Sequence, residues 1–387
     1  MPEQEKLRVM TIFGTRPEAI KMAPLVRELD RRPEFESLCC VTAQHRQMLD
    51  SVLEIFHLTP QFDLNIMEPR QSLSTITSKC LLGLEPVFAE ARPDLVLVHG
   101  DTSTTFAGAL AAFYQKIAIG HVEAGLRTGD KYSPFPEEMN RSLVGRLADL
   151  HFCPTASNRR NLQAEGITQG VYVTGNTVID ALKTTVSADR RFSTELLNRL
   201  DYQKKRVIVV TCHRRENYGE PMEQIMSALR ELALRYQESV ELVYPVHLSP
   251  VVQEAAHRHL DGLENVHLIQ PLLADEMHNL MARSYLVLTD SGGLQEEAPA
   301  LGKPVLVMRR ETERPEAVAA GTVKLAGTER ESIIRMACEL LDDPAAYRAM
   351  AHAVNPYGDG NACRRIADAI LYQFGRAAVP PEPFSGQ

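Results

Sequence analysis

The stretch VMTIFGTRPEAIKMAPLVREL, residues 9–29, decides the fold class. Val9–Phe13 reads as a strand that is apolar on both faces. Gly14-Thr15-Arg16-Pro17 reads as a turn. A helix follows, with Met22, Leu25, Val26 and Leu29 on one face at i, i+3, i+4 and i+7. Pro17 falls in its first turn, where a missing N–H costs nothing. A strand buried on both faces and followed by an amphipathic helix is the building unit of a parallel sheet covered on both sides.

The unit recurs along the chain. Further strands are expected at Leu38–Ala43, Leu95–His99, Ile117–Val122, Leu150–Cys153 and Val171–Thr174, with helices such as Thr105–Gln115 and Glu137–Ala148 between them. After the polar stretch Asp201–Lys205 the pattern restarts. Strands are expected at Val207–Thr211, Val240–Tyr244, Val266–Ile269, Leu286–Thr289 and Val305–Met308, with helices such as Pro221–Tyr236 and Ser332–Leu341. The fold class is therefore α/β, in two doubly wound halves that divide near residues 175–200. The 387 residues agree with two domains at roughly 150 residues each. A turn, Asn355–Gly360, precedes a final helix, Ala362–Phe374. The end, Ala377–Gln387, holds three prolines and is expected to be disordered.

Composition narrows the class. The chain is 44% hydrophobic and 24% charged, as an ordinary globular protein is. Its net charge of −8 argues against a non-specific nucleic-acid binder, which carries a basic excess or stripe. Seven cysteines without a dense framework read as reduced thiols in a cytoplasmic protein. MPEQEKLRVM lacks the apolar core of a secretory signal, and no apolar run is long enough to span a bilayer, so no membrane partner is expected.

In doubly wound sheets, ligands bind beyond the carboxyl ends of the strands. Polar residues just after strands are therefore the candidates. Leu95–His99 runs into Gly100-Asp101-Thr102, and Ile117–Val122 runs into Glu123. The loop Tyr132–Pro136 opens a helix at Glu137. Asp101, Glu123 and Glu137 together suit acid/base work, because mutual repulsion raises one carboxyl while the others stay ionised. Asp101 could instead cap a helix, and Glu137 could complement a helix dipole. His99, Asp101, His121 and Glu123 alternate as a metal set would, but no zinc-type spacing is present, and buried hydrogen-bonded histidines are the commoner outcome. In the second half, Cys212-His213-Arg214-Arg215 follows a strand and suits an anionic ligand, with His213 as a donor to phosphate. Cys212 reads as a packing residue. Ser291-Gly292-Gly293 follows the strand ending at Thr289 and opens a helix, an arrangement that turns backbone N–H groups toward an anion. Glu297 is placed to bond ribose hydroxyls, and Arg309, Arg310 and Arg314 follow the next strand. The dinucleotide, P-loop and nucleophile-elbow fingerprints are all missing. The residues thus specify a two-domain α/β enzyme for a phosphorylated, nucleotide-bearing ligand.

These segments resemble the UDP-N-acetylglucosamine 2-epimerase family in its non-hydrolysing bacterial form. FGTRPEAIKMAPL (13–25), VLVHGDT (96–102), GHVEAGLRTGD (120–130), YSPFPEEMNR (132–141), TGNTVIDAL (174–182), CHRREN (212–217), YPVHLSP (244–250), TDSGGLQEEAP (289–299) and ETERPEAV (311–318) carry the resemblance over nearly the whole chain. It implies the B-type glycosyltransferase fold, two Rossmann-like domains facing each other across a cleft. The first would span 1–180 with the C-terminal helix 360–375, the UDP-binding second 181–359, and a disordered tail 376–387. It implies interconversion of UDP-GlcNAc and UDP-ManNAc at C2. UDP leaves to give a 2-acetamidoglucal and re-adds, with no redox cofactor and no metal. Asp101, Glu123, Glu137 and His213 match catalytic positions. Arg16, Lys21, Leu272, Met277, Ser291, Gly292, Gly293, Glu297 and Arg314 match substrate-binding positions. Gln44, Gln47, Arg70, Arg214 and His247 match a second, regulatory UDP-GlcNAc site, and relatives suggest a homodimer. Two departures stand out: Met277 where relatives often carry an aromatic, and Cys212 where they often carry Gly or Ala. The alternatives are a hydrolysing epimerase, a B-type glycosyltransferase and a non-catalytic nucleotide-sugar sensor.

Overall fold

The computed structural model describes residues 5–43, 46–68 and 71–386, without the side chains of residues 46–48. The chain forms two compact units. One runs through Thr184 and includes Tyr357–Gly386; the other is Thr185–Pro356.

In the first unit the order is β1 (Leu7–Phe13), α1 (Arg16–Arg31), β2 (Phe35–Val41), α2 (Arg46–Phe56), β3 (Phe62–Asp63), α3 (Leu73–Ala91), β4 (Leu95–His99), α4 (Ser103–Tyr114), β5 (Ala118–Val122), α5 (Glu137–Leu147), β6 (Leu150–Cys153), α6 (Ala156–Ala164), β7 (Val171–Val173) and α7 (Thr177–Thr185). The strands form one parallel sheet in the order β3-β2-β1-β4-β5-β6-β7. The order reverses direction between β1 and β4, so the crevice beyond these two strand ends is the topological switch point.

The sequence explains α1 closely. Thr15 and Glu18 form a reciprocal capping box, and Pro17 sits in the first turn. Glu18 is buried; its carboxylate accepts from the Gly14 and Thr15 N–H groups and from the hydroxyls of Thr15, Thr102 and Thr105. It ties the β1–α1 turn to the β4–α4 turn. A side chain at Gly14 would put Cβ 2.0 Å from Thr42 Oγ1, so only glycine fits.

The second unit contains α8 (Glu195–Arg199), β8 (Arg206–Thr211), α9 (Glu220–Arg235), β9 (Val240–Pro245), α10 (Pro250–Leu260), β10 (Val266–Ile269), α11 (Ala274–Arg283), β11 (Leu286–Thr289), α12 (Leu294–Ala300), β12 (Val305–Val307), α13 (Pro315–Ala319), β13 (Val323–Leu325), α14 (Arg330–Asp342) and α15 (Pro344–Ala351). Its sheet is also parallel, ordered β10-β9-β8-β11-β12-β13, with the switch between β8 and β11. Apolar side chains of α9, α10 and α14 pack against the sheet to form its core. The expected fold class, two parallel-sheet α/β units, is the one found.

The final helix, α16 (Ala362–Gln373), packs into the first unit's core beside α1, with Ile366 and Ile370 among Leu25 and Leu29. Asp180 accepts from the Ala362 and Cys363 N–H groups and so satisfies its open N-terminus. The tail departs from expectation. Residues 376–386 were expected to be disordered, but Phe384 is buried and its N–H donates to Val173 O at 2.9 Å. Prolines 380, 381 and 383 stiffen this segment, which lowers the entropy lost when its one large apolar side chain docks. Among the described residues no helix is long and apolar enough to cross a membrane.

Candidate functional site

In the first unit the polar residues gather at the switch-point strand ends. β5 stops at Val122, and Glu123 takes a left-handed backbone, φ 62°. β4 stops at His99, and Gly100 turns with φ 68°. The strict alternation expected through Asp101 and Glu123 therefore breaks at Gly100, one residue before Asp101, and at Glu123 itself. A non-glycine residue held left-handed costs of order 1 kcal/mol or more, a cost that clusters at functional positions.

Glu123 is surrounded by donors. The Lys21 ammonium from α1 pairs with it, and the two side chains are only 15% and 10% exposed. Asn176 Nδ2 donates to Glu123 Oε2 at 2.9 Å, and His99 Nε2 lies 3.6 Å from the same oxygen. Burial alone would push this carboxyl up. Lys21 and His99 outweigh burial and hold it well below the usual carboxylate range. Asp101 is treated in the opposite way. Loss of water raises it to about 6; Arg141 pulls it down, while Glu123 and Glu137 push it further up. The cluster thus sets a carboxylate held below the usual range beside one raised to about 6, and such a separation suits acid/base chemistry.

Asp101 does not cap α4. Thr102 does, accepting from Thr105 N at 3.1 Å. The Asp101 carboxylate instead faces Arg141, whose Nη1 lies 3.4 Å from Oδ2. Glu137 is the first residue of α5, as a dipole-complementing residue would be. One turn further along α5, Asn140 donates to Asp101 O at 2.8 Å, and Arg141 Nε donates to Glu138 at 2.7 Å. Glu138 accepts from the N–H groups of Thr128 and Gly129. One helix thus carries Glu137, faces Asp101 and fixes the loop after Glu123. Arg16 is the first residue of α1 and is half-buried.

His121 is buried, and its Nε2 bonds Gly100 O at 2.7 Å, so it serves the β4–α4 turn. Among the described residues, no group of three His, Cys, Asp or Glu side chains is placed to hold a metal ion.

In the second unit the fully buried Asp290 organises the strand end. Its Oδ2 accepts from His213 N and Arg214 N, both at 2.8 Å, and from Asn217 Nδ2 at 3.1 Å; Oδ1 lies 3.3 Å from His213 Nδ1. Burial pulls the His213 imidazole down, with Arg214 and His247 adding to that and Asp290 opposing it. The His213 and His247 rings stack 5.3 Å apart. They line a depression of about 550 Å³ with Arg214, Arg215, Tyr218 and Ser249. Cys212 points inward, 1% exposed, with its thiol pushed well up by burial; it is a packing residue, as expected.

Ser291-Gly292-Gly293 leads from β11 into α12, which has only seven residues. Ser291 N donates to Thr289 Oγ1 at 2.9 Å. Glu297 Oε2 lies 3.4 Å from the buried His278 Nε2. Leu272, before α11, and Met277, in its first turn, are both half-buried. The basic cluster is less free than its sequence implies: Arg309 pairs with Glu216, Arg310 lies 3.7 Å from Glu329, and Arg314 pairs with the buried Glu296.

The chain is similar to known proteins over nearly its whole length. The family profile described as UDP-N-acetylglucosamine 2-epimerase matches residues 27–371. The UDP-N-acetylglucosamine 2-epimerase of Bacillus subtilis strain 168 is 57% identical over 384 residues, covering 99% of this chain and 100% of its own.

The chain belongs to the UDP-N-acetylglucosamine 2-epimerase family.

The enzyme of that name from Escherichia coli K12 is 54% identical over 370 residues, 94% of this chain and 98% of its own. The crystal structure of UDP-GlcNAc 2-epimerase from Neisseria meningitidis bound to UDP-GlcNAc is 48% identical, with a TM-score of 0.84 over 95% of this chain and 100% of that one. Of the regulatory residues that the family resemblance implies, Gln44, Arg70 and the side chain of Gln47 lie outside the described residues; Arg214 and His247 line the depression beside His213. The sequence reading of this epimerase-family chain missed the supporting residues Asn176, Arg141 and Asp290. Asn176 and Asp290 each follow a strand end, the signal that singled out the others. Arg141 lies one helical turn after Glu137.

Proposed function

We propose that the protein interconverts UDP-GlcNAc and UDP-ManNAc without hydrolysing them. The observation that carries this reading is the carboxylate pair with opposed proton affinities. Glu123 is held ionised by Lys21, and Asp101 is raised to about 6 in the same cluster. In the proposed reaction a carboxylate of the set Asp101, Glu123 and Glu137 takes the C2 proton of the sugar. The C1–O bond breaks, leaving 2-acetamidoglucal and UDP. UDP oxygen then re-adds at C1, and a proton arrives at C2 from the opposite face. No electrons leave the substrate, so no redox cofactor is needed. The three carboxylates belong to one cluster, so the proton is assigned to the cluster and not to one member.

The second unit is proposed to hold the nucleotide. His213, aligned by Asp290, would donate to the departing pyrophosphate, whose growing charge must meet fixed donors and cations for the bond to break readily. Ser291, Gly292, Gly293 and Arg314 would bind phosphate, Glu297 the ribose, and Leu272 and Met277 the base; Arg16 and Lys21 are proposed as further substrate-binding residues. Arg214 and His247, with Gln44, Gln47 and Arg70, would form the regulatory UDP-GlcNAc site. Homodimerisation is supported by exposed apolar side chains on neighbouring helices of the first unit: Leu82 on α3, Phe113 and Tyr114 on α4, and Leu143 on α5.

The test is incubation with UDP-GlcNAc alone, followed by NMR. The proposal expects a mixture of UDP-GlcNAc and UDP-ManNAc. An unchanged spectrum at high enzyme concentration, or accumulation of free ManNAc and UDP, would overturn it.

A further inference from the structure

Glu123 takes hydrogen bonds from two quite different supports. Lys21 lies on α1, in the body of the first unit. Asn176 lies on a turn, Thr174–Asn176, just after β7, the last strand of the sheet. On the side of the sheet the turn is held by β6 and α7: Thr174 N donates to Cys153 O at 2.9 Å, and Val178 N donates to Asn176 Oδ1 at 3.2 Å. Gly175 has φ 85°, and a Cβ there would meet Gly358 Cα at 3.3 Å, Tyr357 O at 3.5 Å and Phe384 Cγ at 3.7 Å. The turn is therefore packed between two segments from the far end of the chain.

Both segments are tied down by one side chain. Arg365, on α16, grips Asp359 through both Nη atoms, at 2.7 and 2.8 Å. It also donates to Thr174 O at 3.3 Å and to Glu382 O at 3.2 Å, and its guanidinium lies 5.5 Å over the Phe384 ring. The Phe384 N–H donates to Val173 O at 2.9 Å, and its ring is 8% exposed. Asn176 N donates to Tyr357 O at 2.6 Å, and Asn176 Nδ2 reaches Glu123. The contacts run unbroken from Phe384 to the carboxylate.

We propose that the C-terminal strap Glu382–Phe384 is a working part of the active-site support: it fixes the 174–176 turn, so that Asn176 is a positioning residue for Glu123. The kinetic part of this inference rests on the epimerase reading; the structural part does not. Lys21 supplies Glu123 with charge, but a flexible ammonium point charge leaves the carboxylate's orientation loose. The planar amide of Asn176, itself held by backbone, supplies direction.

The experiment compares the full chain with one ending after Ala378, with Phe384→Ala, with Phe384→Tyr and with Asn176→Ala. Amide hydrogen exchange at residues 173–178 reports the support, and steady-state conversion of UDP-GlcNAc reports the chemistry. Truncation and Phe384→Ala should speed exchange at the Asn176 amide and lower kcat about tenfold, with KM held within about twofold, because a small misplacement of a reacting group costs rate far more than binding. Asn176→Ala should lower kcat to the same extent with the tail still docked. Phe384→Tyr, which keeps the ring, should restore both readings. Unchanged exchange at 173–178 in both tail variants would overturn the strap, and full kcat in Asn176→Ala would overturn the positioning role. If the full chain leaves UDP-GlcNAc untouched, the epimerase reading fails, and the exchange measurement still decides the strap. Should the truncated chain not fold, Phe384→Ala against Phe384→Tyr decides it.

Discussion

Removing the Lys21 ammonium tests the electrostatics of the cluster most sharply. Lys21→Met keeps most of the side-chain volume and leaves Glu123 buried without its cation. The two side chains are 15% and 10% exposed, so water cannot replace the partner. Breaking a buried pair by deleting one member costs about 3–5 kcal/mol, because the other charge stays behind. The sign with pH follows from Glu123. In the native chain its carboxyl is depressed, so the stability it contributes is present above the unfolded value of 4.5 and is lost as pH falls through the lower folded value. In Lys21→Met, burial wins and the carboxyl is raised; stability is then lost as pH rises through the new folded value. The destabilisation should therefore be largest near pH 8 and shrink toward pH 5, measured by urea unfolding at several pH values. Adding Glu123→Gln to Lys21→Met should recover most of the loss. A destabilisation that is flat with pH, or larger at pH 5 than at pH 8, would refute the pairing.

Glu123→Gln alone should abolish conversion of UDP-GlcNAc while UDP affinity, read by calorimetry, changes little. Asp101 is raised to about 6, so its carboxyl favours folding at low pH and loses that contribution as pH rises through 6; Asp101→Asn should stabilise the chain above pH 6 by about 1–3 kcal/mol in urea unfolding. Arg141→Met should move the limb of the pH–rate profile near 6 to higher pH, since the guanidinium that lowers Asp101 is gone. Glu18→Gln should lower stability by about 1–3 kcal/mol in urea unfolding, because a buried carboxylate accepting from two N–H groups and three hydroxyls cannot be copied by an amide.

Most strands were legible because burial on both faces leaves continuous apolar runs. Leu95–His99, Leu150–Cys153, Val266–Ile269 and Leu286–Thr289 fall where the sequence puts them. β3 and β13 were not legible: β3 has only two residues, and β13, Val323-Lys324-Leu325, carries a lysine that breaks its apolar run. The strand-end rule found Asp101 and Glu123, since chemistry and chain direction coincide there. It did not show that Glu123 leaves the strand geometry, because a left-handed residue that is not glycine has no composition signal. Asn176, Arg141 and Asp290 looked like ordinary turn and helix residues. Their roles arise from contacts with residues between 40 and 77 positions away in sequence, which local patterns do not encode. The tail was misread for a different reason. Proline-rich composition lowers the cost of ordering as readily as it signals disorder, and the deciding contact, Phe384 under Arg365, is tertiary.

The most direct test of the proposed chemistry is conversion of UDP-GlcNAc in heavy water, followed by NMR of both nucleotide sugars. Proton removal and return at C2 predicts that each newly formed UDP-ManNAc carries deuterium at that carbon. UDP-ManNAc formed with its original C2 hydrogen retained would contradict the account.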